Sequence, residues 1–223
     1  VITLSEPSQR AKMEVSSIIR RFDDRLPGRL GNSESDKILR IISQVDLGAI
    51  SNDERESATL SLELVKYSIA LSDSNIQEAS KSRAEIESRL ARDDNFLDIL
   101  DLKARLSSRV NGASSNSSIS WSKDFISSLD EPVTRILAIH STLEAVGKEF
   151  PNWLIEAHRE SCGYPLREDV PSLRRLSAHR WYWRGLLDPV NRMSHWTEAI
   201  SRFRAAECIN AANQLVTKMA KGS

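Results

Sequence analysis

Little in this chain staples or breaks a backbone: among 223 residues there are only two cysteines, seven prolines and eight glycines. Cys162 and Cys208 are too few for a disulfide framework and form no C-x-x-C pair, which excludes a disulfide scaffold and a thioredoxin-type redox motif. Such cysteine usage points to a reducing, intracellular setting, the cytoplasm first. No apolar run approaches the roughly 18 residues that a membrane-crossing helix needs, so no membrane partner is expected. An excess of charge is missing as well. The 31 Lys and Arg residues balance 31 Asp and Glu, leaving no global field to draw the chain onto nucleic acid or an anionic surface. Gly-rich phosphate loops, G-x-S-x-G elbows and H-E-x-x-H motifs are all absent from the sequence, and no cofactor is expected. The chain opens at Val1 with neither a basic n-region nor an apolar h-region, and reads as a processed or excised piece of a larger protein.

What is present is enough apolar matter, 40% of residues, to build a sizeable core. Between the sparse glycines and prolines, apolar residues recur at intervals of three and four, the period of helices, so the fold class is all-α: an irregular multi-helix bundle, divisible into two helical subdomains. Ala11, Val15, Ile18, Phe22 and Leu26 mark the first stripe. Ser35 is expected to cap a helix carrying Ile38, Ile41, Ile42 and Val45, and Ser51 or Asn52 one that ends near Leu71. A fourth helix opens at Asp73 or Ser74, and a fifth spans about 95 to 110. The run "NGASSNSSIS", 111 to 120, offers nothing to bury and reads as a linker or mobile loop. It divides an N-terminal bundle, 1 to 110, from a C-terminal helical region, 121 to 223.

Beyond that run, Asp130 and Pro132 start one helix, Pro151 a shorter one, and Ser172 caps the next. Asp188-Pro189 has the form of an N-cap followed by N1. The stripe of Met193, Trp196, Ile200, Phe203, Ile209, Leu215 and Met219 predicts one long final helix. No internal repeat supports a solenoid.

Three groups of residues could carry chemistry. Asp94, Asp98 and Asp101 share a helix face and could approach a divalent cation, but no second acidic motif faces them; Asp101 paired with Arg105 on a solvated face is the simpler reading. His158 and Cys162 stand one turn apart, as zinc ligands can, yet lack the second pair that a structural site needs. No metal site is therefore expected. The spacing Arg-x(4)-His occurs as "RILAIH", Arg135 with His140, and "RRLSAH", Arg174 with His179. Over those six residues it resembles the Arg-x(4–6)-His motif of helical RNases of the HEPN superfamily. The resemblance implies an RNA-cleaving module with Arg174 and His179 as catalytic pair, histidine moving the 2′-hydroxyl proton and arginine stabilising the phosphorane.

The densest pattern is "HRWYWRG", 179 to 185. Three consecutive rings on a helix cannot all face one core. The simple account is a helix buried on most sides with its arginines reaching outward; the functional one is a contact surface of Arg180, Trp181, Arg184, Arg192, His195 and Arg202. The 167–204 stretch carries eight arginines against four acidic residues. Trp, Tyr and Arg are the residues that dominate protein interfaces, whereas lysines for tracking phosphates are missing from 149 to 217. The leading expectation is thus a non-enzymatic helical interaction domain, an adaptor or scaffold that binds a protein partner, with nucleic-acid binding or cleavage as the alternative. Trp183 is expected in the core and Trp181 at the surface.

Overall fold

A computed structural model of the chain describes residues 6–28, 31–90, 95–107, 115–147 and 149–222. Among the described residues there are eleven α-helices, one short 3-10 turn and no strand. The protein is an all-α multi-helix assembly, and it forms two compact units.

The first unit comprises Val1–Asp23 and Arg29–Asp94, with helices α1 (Pro7–Asp23), α2 (Asn32–Gln44), α3 (Asn52–Ser72) and α4 (Ile76–Arg89). Its core is the meeting of three stripes: Ala11, Val15 and Ile18 from α1, Ile38 and Ile42 from α2, and Leu62, Val65 and Ile69 from α3. A 3-10 turn at Leu47–Ala49 brings Ile50 into the same cluster, and the Asp46 carboxylate accepts from the Gly48 N–H at 3.0 Å to hold that turn. Ser35 is not a cap. It is buried within α2, one turn before Ile38, because that helix has its N-cap at Gly31, four residues earlier than its polar start suggested. α4 packs along α3 and is capped by Asn75, whose side chain accepts from the Glu78 N–H at 3.2 Å.

The second unit comprises Asp24–Gly28 and Asn95–Ser223. Its helices are α5 (Asn95–Ser107), α6 (Ser115–Ser128), α7 (Pro132–Val146), α8 (Asn152–Ser161), α9 (Pro171–Leu187), α10 (Arg192–Ala205) and α11 (Ile209–Ala220). The core gathers Ile99, Leu102 and Leu106 of α5, Ile126 of α6, and Ile139 and Leu143 of α7 with Leu154 of α8. Trp183 of α9, Trp196 and Phe203 of α10 and Leu215 of α11 complete it. The short segment between α1 and α2 belongs here. Asp24 caps α11, its carboxylate accepting from the N–H groups of Asn210 (3.0 Å) and Ala211 (2.8 Å). Leu26 packs on the core and donates its N–H to the Gln214 side chain at 3.1 Å; Gly28, at φ 147°, donates to Glu144 at 2.8 Å in a conformation that only glycine adopts readily.

Several sequence expectations need correction. The boundary between units falls at 94/95 rather than around 111 to 120, so α5 joins the second unit. Residues 111 to 114 lie outside the described residues, but 115 to 120 form the first turns of α6, whose Ile126 and half-buried Trp121 and Phe125 pack on the core. Glu131, not Asp130, caps α7, accepting from the N–H groups of Val133 and Thr134. α9 begins at Pro171, one residue before the expected cap Ser172. Asp188-Pro189 sits in the turn before α10 rather than at its first residue. The long final helix is two: Glu207 adopts φ 60°, and the Cys208 N–H turns back to the Phe203 carbonyl at 2.8 Å, closing α10 and starting α11.

Candidate protein-interaction site

α9 and α10 form an antiparallel hairpin joined by four residues, and α9 is buried on most of its circumference. The hairpin is close-packed because Gly185 lacks a side chain: the Trp196 indole lies against its backbone, and the indole N–H donates to the Tyr182 carbonyl at 3.2 Å. The connecting turn is held by Asp188. One carboxylate oxygen accepts from the Asn191 side chain at 3.0 Å and lies 3.1 Å from His195 Nε2. Those hydrogen bonds, from Asn191 first and His195 second, hold the Asp188 carboxyl down at about 2.

The residues of the expected contact surface part company here. Arg180 is buried. Its guanidinium donates to the Ser161 carbonyl at 3.1 Å and the Tyr164 carbonyl at 2.8 Å, closing the C-terminal end of α8, so it is an internal staple and no contact residue. His195 is buried as well, between Asp188 and the Trp181 ring, whose centroid is 5.6 Å away. Arg192 lies over Trp196 at 5.5 Å and donates to the Gly185 carbonyl at 3.3 Å, bracing the hairpin.

Three of the six remain together and at least partly exposed. Trp181 is half-buried, and the guanidinium carbons of Arg184 and Arg202 stand 5.0 and 5.5 Å from its ring centroid. Arg202 is fixed in place by Glu168, by Glu198 at 2.7 Å and by the Ser177 hydroxyl at 3.0 Å. Arg184 is exposed. The result is a flat indole gripped by two cations, one locked by carboxylates and the other turned to solvent, which is an arrangement able to accept an apolar side chain with a neighbouring carboxylate.

Neither Arg-x(4)-His pair forms a shared site on one chain. Arg174 donates to the carbonyls of Glu168 (2.7 Å) and Ala205 (3.0 Å), while His179 turns its ring edge to Phe203 and its Nε2 is sealed from solvent without a partner. Arg135 faces Glu160 at 3.3 Å, and His140 is buried. A residue five places on is rotated about 140° around a helix, so the two side chains diverge. Asp94 lies outside the described residues, and among the described residues no group of three or more His, Cys, Asp or Glu side chains could hold a metal ion.

Sequence reasoning missed one convergence. His140 of α7 and His158 of α8 meet in the core with ring centroids 5.8 Å apart, His140 stands 6.5 Å from the Trp183 ring, and the half-buried His179 of α9 lies near enough for its charge to bear on His140. The signal was available: His140 falls four after Ile136 and three before Leu143, and His179 three after Leu176 and four before Trp183, positions where a helix stripe expects an apolar residue. No family model, curated protein or solved structure matches this chain.

Proposed function

We propose that this chain is a helical interaction domain, an adaptor or scaffold element of a larger intracellular protein or assembly, and that it binds a protein partner through Trp181, Arg184 and Arg202. The observation that carries the reading is the half-buried indole of Trp181 with two guanidinium groups over its ring, one of them on the exposed Arg184. Such a residue offers a large rigid area at small entropic cost, and Trp and Arg are the side chains on which interface energy concentrates. Arg184 gives the surface its sign: a carboxylate beside an apolar or aromatic residue of the partner would pair with the guanidinium while its neighbour covers the ring. Nucleic acid fits less well, because a single exposed arginine beside one ring makes no track along a phosphate backbone.

The experiment is affinity capture from the native source with the wild-type chain, Trp181→Ala and Arg184→Glu, each with and without nuclease. Proteins that survive nuclease on the wild type and are lost from both variants, with both variants still folded at the assay temperature, support the reading. Release of all bound material by nuclease favours the nucleic-acid alternative, and equal retention by the three proteins removes this surface from consideration.

A further inference from the structure

The second unit encloses three histidines that its interaction surface does not use: His140 and His158 are buried, and His179 is half-buried with its Nε2 sealed from solvent. They come from three helices packed on one another, and their ring nitrogens lack hydrogen-bond partners: both nitrogens of His140, Nε2 of His158 and Nε2 of His179. The remaining nitrogen of His158 faces only the Cys162 sulfur, at 3.9 Å. A neutral imidazole tolerates such a place at the cost of a missed hydrogen bond, whereas an imidazolium there is a desolvated cation with nothing to neutralise it.

The surroundings sharpen the point. His140 faces His158 of α8 and His179 and Arg180 of α9. The charges of Arg180 and Arg184 of α9 bear on His158, which is favoured only by the Arg180 backbone and has the Cys162 thiol beside it at 3.9 Å. His179 faces Arg175 of its own helix, Arg25 of the 24–28 segment and Lys103 of α5. Burial is the largest cause throughout, followed by neighbouring charge for His140 and His179 and partly opposed by the Arg180 backbone for His158; the result is His140 well below the ordinary histidine value, His158 at about 4 and His179 at about 3.

We propose that His140, His158 and His179 form an acid-sensitive lock: α7, α8 and α9 stay packed only while all three rings are neutral, and mild acid opens the second unit. In the unfolded chain each histidine titrates near its ordinary value of 6.5, so the unfolded state gains protons that the folded state refuses. The sign follows. The folded values are depressed, the stability is fully present above about pH 6.5, and it drains away as the pH falls below that value towards the folded ones. Three such rings raise the unfolding constant by about 1000-fold between pH 7.5 and 5.5, and two rings by about 100-fold. Against folded-to-unfolded ratios of roughly 10³–10⁸ for small domains, the larger factor opens a unit of ordinary stability at the lower end of that range.

The sequence supplies its own reporter, because all five tryptophans, Trp121, Trp153, Trp181, Trp183 and Trp196, belong to the second unit. The test is urea unfolding of the whole chain at pH 7.5, 6.5 and 5.5, followed by tryptophan fluorescence. A rise of about 1000-fold in the extrapolated unfolding constant is expected; a rise of 100-fold or less overturns the three-ring lock. A second measurement needs no variant: in ring-labelled wild-type protein at pH 6, where the fold persists, carbon shifts of His140, His158 and His179 should all report neutral imidazole. Protonation of any one of them in the folded protein sinks the proposal.

Discussion

The backbone of Gly185 and the indole of Trp196 are in direct contact: a Cβ added at Gly185 would stand 2.3 Å from Trp196 Cδ1 and 2.4 Å from Nε1. The ring cannot yield easily, being buried, hydrogen-bonded to the Tyr182 carbonyl, and flanked by Arg192 and Lys218. Gly185→Ala should therefore destabilise the second unit by roughly 1–3 kcal/mol, the range of overpacked cores, although alanine is the better helix former. The melting temperature read by tryptophan fluorescence checks it; a gain in stability would mean that the α9–α10 crossing has slack.

Trp181 and Trp183, two residues apart, should respond differently to truncation. Trp183 is buried among His140, Phe150 and Tyr182, and Trp183→Ala should cost about 3–5 kcal/mol. Trp181→Ala removes a half-buried ring and two cation contacts, for about 1–2 kcal/mol. Urea midpoints of the two variants at neutral pH decide it, and equal costs would refute the division between core and surface.

Arg180→Ala should be among the more harmful arginine substitutions, at roughly 2–3 kcal/mol, because it strips the donor from the carbonyls of Ser161 and Tyr164 at the end of α8. Arg180→Lys should recover less than half of that loss, since an ammonium cannot reproduce the planar fork. Hydrogen exchange along α8 would localise the damage; unchanged protection there would show that the staple is dispensable.

Asp188 should link the α9–α10 turn to pH. Its folded value, about 2, is depressed by Asn191 and His195, so the stability it contributes is complete above the ordinary carboxyl value of 3.8 and lost as the pH falls through about 2. Carboxyl carbon shifts of labelled protein should show that late titration, and Asn191→Ala should move its midpoint upward. A midpoint near 3.8 in the wild type would refute the hydrogen-bonded turn.

Where an element's signal lay in its own residues, the sequence was readable. The stripe of α1, and Pro132 at the start of α7, announced those helices directly. The break between α10 and α11 was hidden because it uses neither glycine nor proline: Glu207 takes the left-handed conformation instead, a choice imposed by the packing on both sides. The serine-rich start of α6 misled for the opposite reason, its composition favouring a loop while Trp121, Phe125 and Ile126 a turn or two later anchor it as helix. In the candidate site, Trp181 and Arg184 were legible from helical geometry. Arg180 was not, because its acceptors lie 16 and 19 residues earlier in the chain and only the fold brings them near. The same holds for the three histidines, each explicable singly and meaningful only in company.

The cap that Asp24 places on α11 has a consequence for how this protein can be divided. The chain enters the second unit at Asp24, leaves it at Gly28, completes the first unit, and returns at Asn95. A gene cut at the obvious boundary would therefore yield a C-terminal fragment lacking the first ligature of its last helix and the Leu26 side chain from its core. The smallest stretch of continuous sequence that holds all of the second unit also holds most of the first, so no single cut, by recombination or proteolysis, can release the C-terminal unit both intact and free of the first.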